Sequence, residues 1–302
     1  MDLSIVVVNY RTPDLTIRAV ADATASARGL EVEEILVDVG GGDVAALRAR
    51  RPEATVVGLS DNRGYGAGVN AGLSAASGRH ALLVNADAFC HGDAAALLAG
   101  HLDAHPRAAI AAPRLLNTDG SQQLNAYRRF PSALTVFVDY CFPLSAALYG
   151  GPLHPYVLPR SAYERARPVA HAMGAALAVR MAAVADAGGF DESYFLYLEE
   201  TEWQRRIAAA GWEVHLVPAA DVTRLGGASV GDYSFASDHF LTSLEHYHGG
   251  RQHVRLAAMA GAGISVAAAR VAQRARPRDP RFGALADACA RALRGLRARR
   301  WA

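Results

Sequence analysis

Residues 3–39 read "LSIVVVNYRTPDLTIRAVADATASARGLEVEEILVDV", and this stretch decides the fold. Its two ends, 3–9 and 33–39, are short apolar runs rich in valine and isoleucine, whereas 13–27 has the apolar spacing of a helix. A strand, a helix and a second strand of these lengths are typical of a βαβ unit, whose two strands run parallel.

The same alternation continues to residue 113. Further apolar runs of strand length lie at 55–59, 80–86 and 108–113, and further helical patterns lie at 43–51, 67–77 and 93–105. Such a series predicts an α/β fold with a mainly parallel central sheet that is flanked by helices. In sheets of this kind, ligands bind at the carboxyl ends of the strands.

Composition limits the class of protein. The chain has 302 residues, 51% of them apolar, and a formal charge of +2, which gives no indication of nucleic-acid binding. Cys90, Cys141 and Cys289 follow no metal-ligand spacing and fit a reducing compartment. The start "MDLSIVVVNYRT" lacks the features of a secretory signal. We therefore predict a cytoplasmic protein.

The second half of the chain has a different pattern. Residues 114–170 are rich in aromatic residues and proline and predict an irregular region with a role in binding, or else a hydrophobic packing or dimer surface. A helix is predicted at 200–210, with Trp203 and Ile207 on its inner face, and helices are predicted from about 231 onward. The apolar stretch 256–269 is shorter than the roughly 20 residues of a membrane-spanning helix, so it predicts a buried helix or one lying on a membrane surface.

Polar residues follow the predicted strands and gather at one edge of the sheet. They are Asn9, Tyr10, Arg11, Asp38, Asp61, Asn62, Arg63, Asn85 and Asp87. Asn62, Arg63 and Asn70 lie beside a helix N-terminus, an arrangement that can bind a phosphate or a sugar. Asp87 is compatible with a cation site, but in an isolated Asn-Ala-Asp a simple turn capped by Asp87 is the favoured interpretation.

A second group of acidic residues occurs in "YLEETEW", residues 197–203. Glu199, Glu200 and Glu202 would lie in the first turn of a helix, where acidic residues complement the helix dipole. Glu202 can pair with Arg206 one turn later. Glu200 and Glu199 are also candidates for a general base.

Six segments carry a family resemblance when they are taken in order. They are "IVVVNYR", "ILVDVGGGD", "NRGYGAGVNAGL", "LLVNADA", "GAALAVRMAAVADAGGFDESYFLYLEETEWQRRIAAAGW" and "VTRLGGAS". Between residues 3 and 250 the chain resembles the family 2 glycosyltransferases of GT-A fold, particularly the bacterial rhamnosyltransferase-like branch. The block from Gly188 to Glu200 is the most distinctive part.

The resemblance implies a role for each motif. Residues implied in donor binding are Asn9, Tyr10, Arg11, Asp38, Asn62, Gly64, Asn70, Asn85, Asp87 and Arg224. Asp38 would bind the pyrimidine base, and Asp87 would hold Mg or Mn on the diphosphate. Gly174, Ala175 and Trp203 would face the acceptor side. Glu200, with Glu199 beside it, matches the general base of an inverting transfer.

Three positions depart from the family pattern. Polar residues that usually follow the second strand are replaced by Val39-Gly40-Gly41, and the base is Glu200 where the family usually has aspartate. The family's histidine, often a further metal ligand, corresponds to Arg224, which cannot bind a cation. An arginine there can itself supply positive charge to the leaving diphosphate, so we expect metal dependence to be weak or absent.

These implications define the functional prediction. We expect a GT-A domain at 1–230, with a nucleotide-sugar-binding half (1–112) and an acceptor half (113–230), followed by a helical extension (231–302) that can contact the inner membrane face. The expected donor is a dTDP- or UDP-linked sugar, rhamnose or another deoxysugar foremost, and the acceptor is a glycan, a lipid-linked intermediate or a natural product. The alternative is a non-catalytic nucleotide-sugar-binding partner.

Overall fold

The computed structural model describes residues 1–226, 233–277 and 279–299. The chain divides into two compact units. Unit 1 consists of Met1–Arg128 and Ser161–Gly231, and unit 2 consists of Arg129–Arg160 and Asp232–Ala302. The predicted boundary near residue 230 falls on residues 227–232, which lie outside the described residues, and residues 129–160 belong to unit 2.

Among the described residues, unit 1 contains all the strands and six of the helices. Its strands are β1 (Leu3–Asn9), β2 (Val32–Val39), β3 (Thr55–Leu59), β4 (His80–Asn85), β5 (Ala88–Cys90), β6 (Ala108–Leu116), β7 (Tyr127–Arg128), β8 (Arg167–Val169), β9 (His171–Ala172), β10 (Ala176–Arg180) and β11 (Glu213–Arg224). Its helices are α1 (Pro13–Ala25), α2 (Val44–Arg50), α3 (Tyr65–Ala75), α4 (Ala94–Ala104), α7 (Met181–Ala187) and α8 (Glu199–Ala209).

Among the described residues, one large sheet forms the centre of unit 1. Its strand order is β3-β2-β1-β4-β10-β6-β11-β5, and β8 also pairs with β11. Pairing is parallel from β3 to β4 and again between β6 and β11, whereas β10 runs antiparallel to both of its neighbours. A small antiparallel sheet pairs β7 with β9. The predicted flanked α/β sheet is confirmed, but its second half is mixed because β10 and β5 reverse direction.

The strands form because their side chains can be buried on both faces. All of β1 except Val8 is buried, and β2 is buried from Ile35 onward. In the parallel register Asn9 lies opposite Asp38, and Val8 lies opposite Asn85. The polar residues that end β1, β2 and β4 therefore meet at one edge of the sheet, as predicted.

Unit 2 is helical in its described residues. It contains α5 (Ala133–Tyr140), α6 (Phe142–Leu148), α9 (Tyr233–Tyr247), α10 (Gln252–Ala275) and α11 (Pro280–Ala298). A capping box of Ser132 and Thr135 begins α5, since each residue's side chain bonds the other's backbone N–H. Part of the aromatic region predicted to be irregular is thus helical, because α5 can bury Val136 and Val138 within unit 2.

One helix is long and apolar enough to cross a membrane by length and composition. It is α10, with 24 residues and a mean hydropathy of 1.4 in its most apolar window, of which 33% is buried. The sequence pattern predicted only 256–269 as apolar, whereas the helix extends by several residues in both directions.

Candidate active site

Asn9 links the polar residues at the edge of the sheet where β1 and β2 end. Its side chain is fully buried and donates to Asp38 Oδ1 at 2.7 Å and to Asp43 Oδ2 at 2.9 Å. The side-chain oxygen of Asn9, Oδ1, accepts from the Thr16 hydroxyl at 2.8 Å, and this bond joins the end of β1 to α1. Every polar atom of Asn9 is engaged within the protein, so the residue positions its neighbours.

The side chains that surround Asn9 differ in access. Asp38 is 2% exposed, and its second oxygen accepts from the backbone N–H of Asp43 at 3.0 Å. Arg11 is exposed, has a φ of +56° and lies with its guanidinium carbon 5.1 Å from the Tyr10 ring centre. Tyr10 and Arg11 therefore form an accessible pair beside a largely buried carboxylate.

The loop between β3 and α3 brings a second segment to this edge. The Asn62 side chain accepts from the N–H of Gly64 at 2.9 Å, and Tyr65 N–H donates to the carbonyl of Phe195 at 3.2 Å. Gly64 has a φ of +97°, and a Cβ there would overlap the Phe195 backbone. Only glycine allows this close approach.

Asn70 holds α3 to the loop that precedes α8. Its amide exchanges two hydrogen bonds with the Phe190 backbone, at 2.9 and 2.8 Å, and donates to Glu192 at 3.0 Å. The structure therefore gives Asn70 a positioning role, since its amide is already satisfied by protein groups. Direct donor contact, expected from the sequence, would require breaking this arrangement.

Asp87 and Arg224 meet at the end of β4. Asp87 is 3% exposed, and its Oδ2 lies 3.6 Å from Arg224 Nε. Their proximity follows from the antiparallel pairing of β5 with β11, in which Arg224 lies opposite Ala88, and from the bond that Leu225 N–H donates to the Asp87 carbonyl at 3.0 Å.

Two buried polar atoms at this point have no hydrogen-bond partner among the described residues. They are Nε of Arg224 and Oδ1 of Asn85. The backbone N–H of Asn85 is bonded to the Ala175 carbonyl at 2.9 Å, so only its side chain is open. Buried unsatisfied groups of this kind are costly unless a ligand or water completes them.

The side chains around Asp87 do not by themselves form a complete metal centre. Within the part of the chain that the structure describes, no group of three histidine, cysteine, aspartate or glutamate side chains could hold an ion. Asp87 provides one carboxylate, and the neighbouring charge is the guanidinium of Arg224. Mg²⁺ in proteins is often held by one or two carboxylates together with substrate phosphates, so a cation at Asp87 would depend on the donor diphosphate for its other ligands.

Glu199 and Glu200 open α8 after an unusual stretch of backbone. Tyr197 and Leu198 have φ values of +70° and +64°, a conformation that costs most residues energy. Such strain persists only where surrounding packing imposes it. Here it turns the chain abruptly, so that both carboxylates lie at the helix N-terminus.

The two carboxylates have opposite pKa shifts. Burial, followed by the charge of Glu200, raises the pKa of Glu199 well above its usual 4.5. Burial also acts to raise the pKa of Glu200, but the hydrogen bond and charge of His171, the helix N-terminus and Arg128 outweigh it and lower the pKa. Burial lowers the pKa of His171 itself, whose Nε2 lies 3.7 Å from Glu200 Oε1 and 3.0 Å from the Thr201 hydroxyl. Glu200 is therefore ionised at neutral pH, and Glu199 takes up a proton more readily.

Tyr65 lies among all the charged groups of the site, a role that the sequence pattern did not reveal. Its hydroxyl donates to the Gly174 carbonyl at 3.4 Å, and a Cβ on Gly174 would lie 3.3 Å from Glu200 Cγ. Burial, followed by the charges of Glu199, Glu200 and Asp87, raises the pKa of Tyr65, and Arg224 opposes the shift. The phenol is therefore a neutral hydrogen-bonding group between the two acidic clusters.

Trp203 is a core residue of unit 1. Its side chain is fully buried, stacks on Phe190 and donates from the indole N–H to the Gly188 carbonyl at 2.8 Å. Ala175 is likewise fully buried. Full burial gives Trp203 and Ala175 a packing role, and their expected place on the acceptor side stays a prediction.

Gln204 holds α8 against the small sheet. Its amide accepts from Ala172 N–H at 2.8 Å and donates to the Ala172 carbonyl at 2.7 Å, and it is fully buried. One turn earlier, Thr201 bonds His171 at 3.0 Å. The predicted pair of Glu202 and Arg206 is confirmed, with contacts of 2.9 Å.

Comparison with known proteins decides the family. The model of glycosyl transferase family 2 matches residues 4–163, more than half of the chain. The chain belongs to glycosyl transferase family 2. This glycosyltransferase is 34% identical over 132 residues to the N-acetylglucosaminyl-diphospho-decaprenol L-rhamnosyltransferase of Mycobacterium tuberculosis, in strains CDC 1551 / Oshkosh and ATCC 25618 / H37Rv. The match spans 42% of the chain and 40% of those relatives.

Solved structures share the fold of this glycosyltransferase. GalNAc-T7 with UDP, GalNAc and Mn²⁺ superposes with a TM-score of 0.55 at 15% identity, over 83% of the chain and 49% of that protein. S. aureus TarS 1–349 superposes with a TM-score of 0.52 at 14% identity, over 98% of the chain and 89% of that protein. The predicted GT-A architecture is therefore confirmed, and the family match supports the predicted enzyme class.

Proposed function

We propose that this enzyme transfers a sugar from a nucleoside diphosphate donor to an acceptor hydroxyl with inversion at the anomeric carbon. The single observation that carries the proposal is the pairing of an ionised Glu200 with a protonatable Glu199 at the start of α8. A buried carboxylate that stays ionised beside an opening can accept a proton from a bound hydroxyl.

Glu200 acts as the general base in this proposal. The acceptor oxygen attacks the anomeric carbon while its proton moves to a Glu200 carboxylate oxygen. The new glycosidic bond forms on one face of the sugar, and the bond to the diphosphate breaks on the opposite face. Inversion follows because a single displacement reverses the configuration. Tyr65, which bonds Gly174 next to Glu200, would help to orient the sugar.

Arg224 receives the leaving diphosphate. Its unsatisfied Nε and its side chain, 26% exposed, offer a fixed positive charge where negative charge develops. Asp87 holds the guanidinium in place at 3.6 Å. In this proposal the guanidinium of Arg224 supplies this stabilisation, so we expect metal dependence to be weak.

The remaining donor contacts are assigned to the same edge. Asp38 reads the pyrimidine, Tyr10 and Arg11 flank the base and ribose, and Asn85 offers its open amide oxygen to the donor. Asn9, Asn62, Gly64 and Asn70 shape the pocket. The likeness to a mycobacterial L-rhamnosyltransferase supports a dTDP- or UDP-linked deoxysugar, rhamnose foremost, and a lipid-linked glycan as acceptor. The homodimer stays a prediction.

A donor screen tests the proposed function. Nucleoside diphosphate sugars are added to the full-length chain, and thermal stabilisation is measured. The best donor is then incubated with saccharide acceptors, and the product is analysed by mass and by the NMR configuration of its anomeric carbon. We expect stabilisation by a dTDP- or UDP-deoxysugar and a product of inverted configuration. A product that retains the donor configuration would overturn the mechanism.

A further inference from the structure

The charge of the chain is unevenly distributed. Residues 251–302 contain twelve arginines and two acidic residues, a formal charge of +10, whereas residues 1–250 carry −8. The small net charge of the whole chain hides this division. Helix α10 contains no acidic residue, and Asp287 is the single acidic residue within α11.

Helix α10 has two apolar faces. One is buried within unit 2 and consists of Val254, Ala258, Gly261, Ala262, Ser265 and Ala269. Its packing is specific, because Ser265 donates to the Tyr140 carbonyl at 2.7 Å and accepts from Phe142 N–H at 2.7 Å. Helix α10 is also bonded to α11, because Arg255 donates to the Leu296 carbonyl at 2.8 Å.

The second apolar face points to solvent. Its members recur at helical spacing and are Leu256, Ala260, Ile264, Ala267 and Val271, all exposed. Leu256, Ile264 and Val271 are 59%, 46% and 64% exposed. We name these five residues the outer stripe. It runs for about 22 Å along the helix, and Arg270 and Arg274 lie beside its C-terminal end, both exposed.

We propose that the outer stripe of α10 docks the enzyme onto an anionic lipid bilayer, with the arginines of α10 and α11 at the headgroups. An interfacial helix of this kind combines an apolar face with cationic residues at its margins. The helix lies on the surface and does not cross, because its opposite face is bonded to α5 and α11. The docking surface does not depend on the proposed function.

Charge complementarity favours lipid over nucleic acid as the partner. Exposed arginines alone would suit either polyanion, but a nucleic acid offers no apolar phase for Leu256, Ile264 and Val271. A bilayer accommodates both parts of the surface. Among the ion pairs of the described residues, Arg281 and Arg299 have carboxylate partners, whereas Arg270, Arg274, Arg291, Arg294 and Arg297 have none.

Vesicle flotation with the full-length chain tests this surface. The vesicles are phosphatidylcholine alone or phosphatidylcholine with phosphatidylglycerol. We expect binding to the anionic vesicles only, weakened by high salt. The triple variant Leu256→Gln, Ile264→Gln, Val271→Gln should lose at least about tenfold in bound fraction, as removal of three inserting side chains implies. Its control is Leu97→Gln, which changes a residue 42% exposed in unit 1.

A second set of variants separates charge from apolar insertion. Vesicle binding should also weaken in the triple variant Arg291→Gln, Arg294→Gln, Arg297→Gln. It should not weaken in the control triple variant Arg18→Gln, Arg28→Gln, Arg107→Gln. An Ile264→Trp variant should show a blue shift of fluorescence on anionic vesicles that Leu97→Trp lacks. All these positions are exposed, so circular dichroism should be unchanged.

Three results would overturn the proposal. They are absence of binding to anionic vesicles, equal binding by the outer-stripe variant, and binding to single-stranded or duplex nucleic acid that is tighter than to vesicles and unaffected by the outer-stripe substitutions. A flotation result does not depend on turnover, so failure of the docking proposal and failure of the catalytic proposal are distinguishable.

Discussion

At the scale of single residues, the site depends on neighbouring groups that differ only in surroundings. Glu199 and Glu200 are adjacent, yet their pKa values shift in opposite directions. His171 and Arg128 favour the ionised form of Glu200, whereas burial favours the protonated form of Glu199. Asp87 and Arg224 neutralise each other until a ligand arrives. The chemistry therefore resides in paired side chains and their relative burial.

The Arg224 assignment predicts that nucleotide binding survives removal of metal. The thermal shift caused by a nucleoside diphosphate should be the same with Mn²⁺ and with EDTA. Arg224→Ala should weaken binding by roughly tenfold or more, as expected for loss of a charge-assisted hydrogen bond, whereas Arg167→Ala, an exposed arginine on β8, should have no effect. A strict requirement for the ion in the native protein would contradict the assignment.

Glu199 is predicted to limit stability. Because its folded-state pKa is raised, its favourable contribution is fully present below about pH 4.5 and is lost as pH rises through the raised value. Glu199→Gln removes this penalty, so at pH 8 its Tm should exceed that of the native protein by at least about 2 °C, and the difference should shrink toward pH 4. A Tm difference that is constant from pH 4 to pH 8 would show that Glu199 has no raised pKa.

At the scale of secondary-structure elements, α8 carries the base and is fixed by β9. The bonds between Gln204 and Ala172 set its position along the small sheet, and Gly64 and Asn70 bring α3 against the loop that precedes it. None of these four residues takes part in the proposed chemistry. Placement of Glu200 therefore depends on contacts distant in sequence.

Gln204→Leu tests that placement. The change leaves two buried backbone groups unpaired, so we expect a loss of about 2–4 kcal/mol in the free energy of unfolding and a fall in kcat of roughly 10- to 100-fold from misplacement of the base. KM for the donor should change little. Gln273→Leu, at an exposed glutamine of α10, is the control. A kcat equal to that of the native protein would separate α8 from catalysis.

The sequence predicted the bounds of single strands better than the contacts that these elements make with one another. β1 and β3 begin and end at the predicted residues, because alternation of apolar runs and helices is a local signal. The reversal of β10, the helices within 129–160 and the engagement of Asn70 depend on partners that are distant in sequence, which no local pattern encodes. The inner position of Trp203 on its helix was predicted correctly, because helical spacing of apolar residues is also a local signal.

At the scale of the whole molecule, the two compact units are interleaved along the chain. Unit 2 combines an internal segment with the C-terminal helices, so the sequence boundary near 230 does not separate a self-contained domain. In unit 2, a Cβ on Gly261 of α10 would overlap the backbone of α5, and Val136, Val138 and Cys141 are buried. The close packing makes α5 dependent on α10.

Truncation after residue 231 is therefore predicted to fail. The shortened chain would expose the apolar residues of α5, so we expect aggregation, or elution in the void volume on size exclusion, compared with the full chain. The control is a chain that ends after residue 299, which retains all the described helices. A soluble, monodisperse and cooperatively unfolding 1–231 fragment would contradict this view of the units.

The most direct test of the mechanism compares Glu200→Gln with Glu199→Gln in one assay. Single-turnover sugar transfer and donor Kd are measured for both variants at neutral pH. Glu200→Gln should lose roughly 10²- to 10⁴-fold in transfer rate with donor Kd unchanged, whereas Glu199→Gln, which mimics the protonated acid, should lose far less. Native transfer rates in Glu200→Gln, or the larger loss in Glu199→Gln, would contradict the assignment of Glu200 as the base.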